Sequence, residues 1–250
     1  MGRKTNLKQF GLIGKRLDYS FSKNYFETKF KALNLPHSYT NFEFESETDL
    51  ADFLIDEVYK LNGFNITIPY KEIIIPYLDR LDKTADETQA VNTVVVQKGT
   101  LTGYNTDIHG FSKSIEPLLS NHKTALVLGT GGASKAIVYA LKKLGIHSQL
   151  VSRTPASNQL TYQDLDKNIM EKHTVIINTT PLGTSPKTEE APNIPYQHIT
   201  ESHLFFDLVY NPSLTKFLRL AQEHNAKIQN GLAMLEFQAD KAWSLWNTEH

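Results

Sequence analysis

A glycine turn between a predicted strand and a predicted helix is the clearest binding motif in this chain. Residues 125–128 (ALVL) form a short apolar run, typical of a strand buried in a parallel sheet. Residues 129–133 (GTGGA) follow at once, and apolar residues then recur at helical spacing as far as Gly145. Because such a turn lets backbone N–H groups approach a pyrophosphate, it predicts a dinucleotide site. Ser134 replaces the third glycine of the dinucleotide fingerprint, so a chance glycine turn is the alternative.

The end of the next predicted strand indicates which dinucleotide fits. Ser152, Arg153 and Thr154 follow that strand, without the Asp or Glu that usually binds the ribose 2′-hydroxyl of NAD. A guanidinium pairs with a 2′-phosphate, whereas a carboxylate would repel one. The sequence therefore predicts NADP as the cofactor. A solvated loop arginine is the alternative interpretation.

Two charged residues stand at positions suited to chemistry. Residues 64–68 predict a strand that Pro69 ends, and Lys71 then falls at a helix start, where open α/β sheets bind ligands. A lysine there opposes the helix dipole, which argues against a purely stabilising role. Asp107 precedes a helix predicted from about Ile108, and its position alone favours a helix N-cap. Position leaves both a structural and a functional role open for each residue.

The elements that must position these residues alternate along the chain. Strands are predicted at residues 9–13, 38–44, 64–68, 89–96, 125–128, 148–151, 175–178, 204–207 and 227–229. Helices are predicted after Ser22 (as N-cap), near 50–61, from about 108, at 133–144, weakly at 162–168, at 213–224, and after Gly231. The alternation from residue 124 to about 229 predicts a parallel, doubly wound sheet.

Composition narrows the class of protein. The chain has 250 residues, enough for two modest domains, and its net charge of −1 favours neither nucleic acid nor membrane as a partner. The absence of cysteine excludes disulfides and thiolate metal sites, and no metal site is predicted. We expect neither a membrane span nor a signal peptide, because no apolar segment has the length of a span and no apolar core follows the basic first residues. We expect a cytoplasmic globular protein with a small-molecule substrate, either a monomer or a homodimer.

Seven stretches, taken together and in chain order, resemble the shikimate dehydrogenase family. They are residues 19–22 (YSFS), 65–71 (NITIPYK), 90–93 (AVNT), 103–107 (GYNTD), 129–133 (GTGGA), 152–154 (SRT) and 230–235 (NGLAML) with Gln238. One such match is weak, but seven in the same order are highly specific and favour functional roles for Lys71 and Asp107. The family's S-x-S loop commonly ends in Ser-Pro, whereas Lys23 and Asn24 follow Ser22 here, and the family has Asn where this chain has Ser152.

The resemblance implies a reversible, NADPH-dependent reduction of 3-dehydroshikimate to shikimate, a step of aromatic amino acid biosynthesis. It also implies an α/β fold with an N-terminal α/β substrate domain and a Rossmann-type doubly wound cofactor domain. The C-terminal helix is expected to return to the first domain. We place the substrate domain at residues 1–103 and 232–250, and the NADP-binding domain at residues 104–231.

The resemblance also implies the site residues. Lys71 and Asp107 are the catalytic pair, because a ketone that receives hydride needs a cation and a proton donor at its oxygen. Which of the two moves the proton stays open. The implied substrate-binding residues are Ser20, Ser22, Thr67, Asn92, Tyr210 and Gln238. The implied cofactor-binding residues are Gly129, Thr130, Gly131, Gly132, Ala133, Ser152, Arg153, Thr154, Leu208 and Gly231.

Three alternative functions remain open from the sequence. An NAD-preferring quinate/shikimate dehydrogenase is kept open because residues 155–158 lack the second basic residue that often follows the arginine. A methylene-tetrahydrofolate dehydrogenase would share the architecture and a catalytic lysine, but Ser20, Ser22 and residues 105–107 count against it. A non-catalytic NADP-binding sensor would need neither Lys71 nor Asp107.

Overall fold

The computed structural model describes residues 7–18 and 20–248, which form two compact units. Unit 1 runs to Thr106 and resumes at Gln238, and unit 2 is Asp107–Phe237. The sequence placed domain boundaries after residues 103 and 231, and its assignment of one function to each domain stays a prediction. Within the described ranges, no helix combines the length and the apolar character that a bilayer span requires.

Unit 1 is built on a mixed six-stranded sheet. Its strands are β1 (Gln9–Gly14), β2 (Ser38–Glu43), β3 (Gly63–Ile66), β4 (Arg80–Leu81), β5 (Thr93–Gln97) and β6 (Thr100–Tyr104), in the spatial order β2-β1-β3-β5-β6-β4. β1 pairs in parallel with β2 and β3, whereas β5 is antiparallel to both β3 and β6. The helices are α1 (Phe21–Ala32), α2 (Glu47–Asp56), α3 (Tyr70–Ile73) and α4 (Lys83–Thr88).

The last helix, α9 (Leu232–Asn247), contributes its second half to the core of unit 1. Trp246 stacks on Phe10 with ring centroids 4.6 Å apart, and its Nε1 donates to the carbonyl of Val94 at 2.9 Å. Gly63 makes this possible, because a Cβ there would lie 2.2 Å from the indole nitrogen. The prediction that the C-terminal helix returns to the first domain is therefore confirmed, and aromatic packing is the physical reason.

Unit 2 is a five-stranded parallel sheet. Its strands are β7 (Thr124–Leu128), β8 (His147–Val151), β9 (Val175–Asn178), β10 (Leu204–Asp207) and β11 (Lys227–Gln229), in the order β11-β10-β9-β7-β8. The helices are α5 (Asp107–Ile115), α6 (Gly132–Lys143), α7 (Lys167–Lys172) and α8 (Lys216–Gln222). Buried apolar clusters cover both faces of the sheet, which confirms the doubly wound prediction. The chain reverses its direction of winding between β7 and β9, and sheets of this kind bind ligands at the carboxyl ends of such strands.

Several predicted boundaries were wrong for local reasons. The predicted strand 89–96 begins only at Thr93, because Gln89 adopts a left-handed conformation (φ 49°) at the end of α4. Helix α5 begins at Asp107 itself, so this carboxylate lies in the first turn and is not the predicted N-cap. Helix α1 is capped by Ser20, whose side chain accepts from the Lys23 N–H, and not by Ser22.

Candidate active site

Ser20 and Ser22 are separated by one residue at the start of α1, but their hydroxyls have different partners. Ser20 Oγ accepts from the backbone N–H of Lys23 at 3.3 Å, and an accepting hydroxyl keeps its hydrogen for donation. Ser22 is hydrogen-bonded to the phenol of Tyr39. Burial raises the pKa of Tyr39 well above its usual value, and the bond to Ser22 opposes that shift. Tyr19, the first residue of the YSFS stretch, lies outside the described residues.

The hydrogen bond between Ser22 and Tyr39 continues into the buried core of unit 1. Tyr39 Oη donates to Asn65 Oδ1 at 2.8 Å, and Asn65 Nδ2 donates to the Asn92 carbonyl at 3.2 Å and to Thr93 Oγ1 at 2.9 Å. A carbonyl can only accept, so the amide of Asn65 has one allowed orientation. Tyr39 must then donate to Asn65 and accept from Ser22. The direction of the hydrogen bond at Ser22 is thereby fixed.

Asn92, Thr106 and Gln238 form a second buried network, between 2 % and 7 % exposed. Asn92 Oδ1 accepts from the Thr106 N–H at 2.7 Å, and Asn92 Nδ2 donates to Thr106 Oγ1 at 3.0 Å and to Gln238 Oε1 at 3.4 Å. Thr106 Oγ1 also lies 3.3 Å from Gln238 Oε1. Because Oε1 faces this network, the amide nitrogen is the group of Gln238 that can donate to a ligand. The structure thus brings two predicted substrate residues, Asn92 and Gln238, together.

Thr67 and Lys71 lie just past the carboxyl end of β3, as the sequence predicts. The N–H of Thr67 donates to the Ile13 carbonyl at 2.9 Å, and Gly14 leaves room for the Thr67 methyl group, which a Cβ would approach to 2.7 Å. Lys71 lies in α3, and its carbonyl accepts from the Val91 N–H at 2.8 Å. Both side chains are partly exposed. Their backbone is therefore held by β1 and by the segment that carries Asn92.

Asp107 is the first residue of α5 and is 7 % exposed. A carboxylate in the first turn of a helix is stabilised by the helix dipole. Asn105 lies two residues earlier and is also buried, with Nδ2 donating to Thr88 Oγ1 at 3.2 Å and to the Ala90 carbonyl at 3.0 Å. Its Oδ1 has no hydrogen-bond partner within the described ranges. The role of Asp107 stays a prediction.

In the glycine turn after β7, Gly129 and Gly131 differ in whether the fold requires glycine. Gly129 has a φ of +107°, and a Cβ there would lie 2.8 Å from Thr179 Oγ1, so this position requires glycine for folding. Gly131 is the N-cap of α6, has an ordinary φ of −77°, and would place a Cβ in open space. Ser134, at the position of the third fingerprint glycine, donates to the Gly131 carbonyl at 2.6 Å. Thr130 is exposed, while Gly132 and Ala133 begin the helix.

The loop after β8 presents an arginine. Ser152 Oγ donates to the Thr154 carbonyl at 3.1 Å and accepts from the Thr154 N–H at 3.2 Å, which closes a tight turn around Arg153. Arg153 is exposed, and in the described part of the chain it makes no hydrogen bond or ion pair. Burial raises the pKa of Tyr162, and the nearby charge of Arg153 opposes that shift. The guanidinium is therefore available to an anion.

The loop after β10 contains the predicted residues Leu208 and Tyr210, and the predicted Gly231 packs against it. Gly231 packs on the backbone of Leu208 so closely that a Cβ would lie 2.1 Å from the Leu208 oxygen. The Gly231 N–H also donates to the Val209 carbonyl at 3.2 Å. Tyr210 follows and is half-buried, and burial raises its pKa. Glycine at position 231 is thus a packing requirement of this loop.

Asp207, which ends β10, was missed by sequence reasoning. It is 0 % exposed and accepts from Asn178 Nδ2 at 2.9 Å, from the Val209 N–H at 3.0 Å and from Thr215 Oγ1 at 2.6 Å. Burial raises the pKa of Asp207 to about 6, and the three hydrogen bonds oppose the shift. A charged residue that ends an apolar strand (LFFD) was the available signal. Tyr39 and Asn65 were also missed as site residues, although Asn65 lies within a recognised stretch.

The residues of unit 2 fit a dinucleotide that carries a 2′-phosphate. Space is open at Gly131, no side-chain hydrogen bond caps the described N-terminus of α6, and backbone N–H groups there can receive phosphate oxygens. Arg153 offers an available guanidinium, and residues 152–154 include no carboxylate. These features favour NADP over NAD as the occupant.

Comparisons with known proteins agree with this arrangement. Residues 12–94 match the family model described as shikimate dehydrogenase substrate binding domain. The chain is 39 % identical over 249 residues to a shikimate dehydrogenase (NADP(+)) of Clostridium botulinum, covering 94 % of this chain and 95 % of the relative.

Solved structures give the same result. A shikimate 5-dehydrogenase of Thermus thermophilus, in complex with NADP(H) and shikimate, is similar with a TM-score of 0.87 and 30 % identity, over 96 % of this chain and 93 % of that one. A quinate dehydrogenase of Corynebacterium glutamicum in complex with NAD is similar with a TM-score of 0.85 and 25 % identity, over 97 % and 94 %. Since a relative of this identity is matched over nearly its whole length, the chain belongs to the shikimate dehydrogenase family.

Proposed function

We propose that this chain is an NADP-dependent oxidoreductase that interconverts 3-dehydroshikimate and shikimate. The observation that carries the proposal is the buried network of Asn92, Thr106 and Gln238 in the same unit as Lys71. Amides held in one orientation suit a substrate with several hydroxyl groups, because an amide can both donate and accept. Membership of the family supports the same reaction.

The substrate is held by groups suited to its carboxylate and hydroxyls. Ser20 donates to the carboxylate, and Ser22 does so when its hydrogen turns from Tyr39 to the substrate. Thr67, Asn92 and Gln238 bind ring hydroxyls. Tyr210 supplies a further contact. Loss of the amide at Asn92 or Gln238 would leave buried polar groups unpaired, at a cost of about 1–3 kcal/mol in binding.

Lys71 and Asp107 are the catalytic pair in this proposal. The reduction leaves negative charge on the former ketone oxygen, and the Lys71 ammonium stabilises that charge. Together the two residues supply the proton that the oxygen takes up. NADPH, when bound, supplies the hydride. The chain would hold it through the glycine turn, the first turn of α6, the Ser152–Arg153–Thr154 turn, Leu208 and Gly231.

A second candidate is an NAD-preferring quinate/shikimate dehydrogenase. Arg153 is the sole basic residue of residues 152–158, so a single side chain would have to select for the 2′-phosphate. The proposal predicts that NADP is nevertheless preferred, because no carboxylate is present to bind a free ribose 2′-hydroxyl. We further propose that the chain is a cytoplasmic monomer or homodimer. It should bind neither nucleic acid nor membrane, since a net charge of −1 attracts neither.

The experiment that tests the catalytic assignment is Lys71→Ala. We expect kcat to fall by orders of magnitude, about 10²-fold or more, with near-normal NADPH affinity, because the change removes a charge at the reacting oxygen. Lys60→Ala is the matched control, since Lys60 is exposed and, among the residues that the structure describes, is paired only with Glu57. NADPH binding is followed by fluorescence and turnover by absorbance. Retention of most activity in Lys71→Ala would contradict the assignment, and binding without turnover in the wild type would favour the sensor.

A further inference from the structure

Asp207 is a buried carboxylate for which the proposed reaction has no role. Its two oxygens face three donors, the Asn178 amide, the Val209 N–H and the Thr215 hydroxyl, at 2.6–3.0 Å. Each donor comes from a different segment of unit 2: the end of β9, the loop after β10 and the N-cap of α8. One side chain thus ties three segments together at the carboxyl edge of the sheet.

Two of these donors have a fixed direction. Asn178 Oδ1 accepts from the N–H and the hydroxyl of Thr180, at 3.0 and 2.6 Å, so its Nδ2 must point toward Asp207. The Val209 N–H can only donate. Asn178 and Val209 therefore both direct a hydrogen at Asp207 Oδ1, and this oxygen must be an acceptor.

The third donor, the Thr215 hydroxyl, also caps helix α8. Thr215 Oγ1 accepts from the Leu218 N–H at 3.3 Å, which leaves its hydrogen for Asp207. Three hydrogens then converge on one side chain, and a group that only accepts, an ionised carboxylate, satisfies all of them. A protonated acid or an amide would instead donate to Thr215 Oγ1, and the Thr215 hydrogen would then lose its acceptor.

The segments held by Asp207 are the ones that carry the predicted cofactor residues. Val209 lies between Leu208 and Tyr210. On the other side, Asn178 is followed by Thr179, whose N–H and Oγ1 both donate to the Leu128 carbonyl, at 2.9 and 2.8 Å. This contact fixes the start of the glycine turn, because Gly129 packs directly on Thr179.

We propose that ionised Asp207 is a positioning residue that holds the glycine turn and the Leu208–Tyr210 loop in the arrangement that binds the dinucleotide. This inference rests on the proposed function, since the cofactor role of those loops belongs to it. Protonation or amidation of Asp207 removes the acceptor of one of the three hydrogens and loosens the loops, so affinity for the cofactor falls.

The electrostatic surroundings give the proposal a pH signature. Burial raises the pKa of Asp207 to about 6, and its hydrogen-bond partners are neutral. Tyr196 is the titratable neighbour, and the charge of Asp207, after burial, raises the pKa of that phenol further. Because the folded-state pKa lies above the usual value of 3.8, ionisation of Asp207 lowers stability as pH rises from about 4 to 6. Cofactor affinity should rise toward neutral pH. Affinity and stability therefore change in opposite directions as pH rises.

The test compares NADP⁺ binding to the wild type and to Asp207→Asn by isothermal titration calorimetry between pH 5 and 7.5. We expect the variant to bind about tenfold more weakly at pH 7.5, and the ratio of the two dissociation constants to approach one at pH 5. Protonation of NADP⁺ itself affects both dissociation constants equally, so it cancels in their ratio. Urea unfolding over the same pH range should show the wild-type loss of stability with rising pH, and Asp207→Asn should not show it. Asp166→Asn, a helix cap in the same unit, is the matched control.

Each outcome separates this inference from the proposed function. A ratio that stays near one, or is the same at every pH, would overturn the role of Asp207. A wild type that fails to bind NADP⁺ would overturn the proposed function instead. If Asp207→Asn does not fold, Thr215→Val carries the test: its lost hydrogen bond should raise the pH midpoint of binding relative to the wild type, and Thr215→Ser should restore it. An unchanged midpoint in Thr215→Val would contradict the proposal.

Discussion

Substitution of Gly131 by alanine should separate cofactor binding from folding. Gly131 precedes the first turn of α6, its φ is −77°, and an added Cβ would meet no atom of the described chain within 4 Å. Alanine can adopt this backbone conformation, so the cost in folding is that of a poorer N-cap, at most about 1 kcal/mol. The methyl group would project into the space where phosphate oxygens approach the helix N-terminus.

The magnitude follows from the hydrogen bonds that would be lost. A hydrogen bond between a backbone N–H and a charged phosphate contributes about 1.5–3 kcal/mol. At about 1.4 kcal/mol for each factor of ten, the loss of one such bond weakens NADPH binding about 10- to 100-fold. We therefore expect a large change in affinity and a small change in the free energy of unfolding.

Gly145, at the other end of α6, provides the matched control. It also has open space at its Cβ position, but its φ is +74°. Gly145→Ala should lower stability by about 1–2 kcal/mol, because alanine is strained in the left-handed region, and should leave NADPH affinity unchanged. Fluorescence titration with NADPH and urea unfolding on both variants measure the two quantities. Normal NADPH affinity in Gly131→Ala would refute the placement of the phosphates at this turn.

Three further substitutions test other parts of the site. Arg153→Ala should weaken NADP⁺ binding about 10-fold or more and leave NAD⁺ binding unchanged, because only NADP⁺ carries the 2′-phosphate that the guanidinium would bind; equal losses for both cofactors would argue against this role. Tyr39→Phe should lower the free energy of unfolding by about 1–3 kcal/mol, because buried Asn65 Oδ1 loses its donor; unchanged stability in urea would argue against this network. Gly231→Ala should destabilise the protein by about 1–3 kcal/mol in urea unfolding, because its Cβ would overlap the Leu208 carbonyl. Unchanged stability would show that the backbone at Leu208 can shift without cost.

The parallel sheet of unit 2 was predictable because its signals are local. Strands β9, β10 and β11 have the predicted bounds, since each is a short apolar or mixed run between polar residues. β4 and β6 were not predicted, because their own sequences carry no clear strand signal. β4 has two residues, and β6 (TLTGY) alternates threonine with apolar residues and includes Gly103. Its pairing with β5 forms it, which a local pattern does not reveal.

In the candidate site, too, local features could be predicted and contacts between distant parts of the chain could not. The glycine turn could be identified from spacing, because strand, turn and helix are consecutive in the chain. The contact of Asn92 with Gln238 joins residues 146 positions apart, and only the resemblance indicated it. The direction of hydrogen bonding at Ser22 could not be predicted, because Tyr39 and Asn65 meet across β1, which separates β2 from β3.

The most direct test of the account is the absorbance of the reduced nicotinamide when the purified chain is mixed with shikimate and NADP⁺. Parallel reactions contain NAD⁺ in place of NADP⁺ and quinate in place of shikimate. The account predicts rapid reduction of NADP⁺ by shikimate, with much slower turnover of NAD⁺ and of quinate. Preference for NAD⁺ or comparable use of quinate would contradict it in favour of the second candidate, and the absence of turnover despite NADP⁺ binding would contradict the catalytic claim itself.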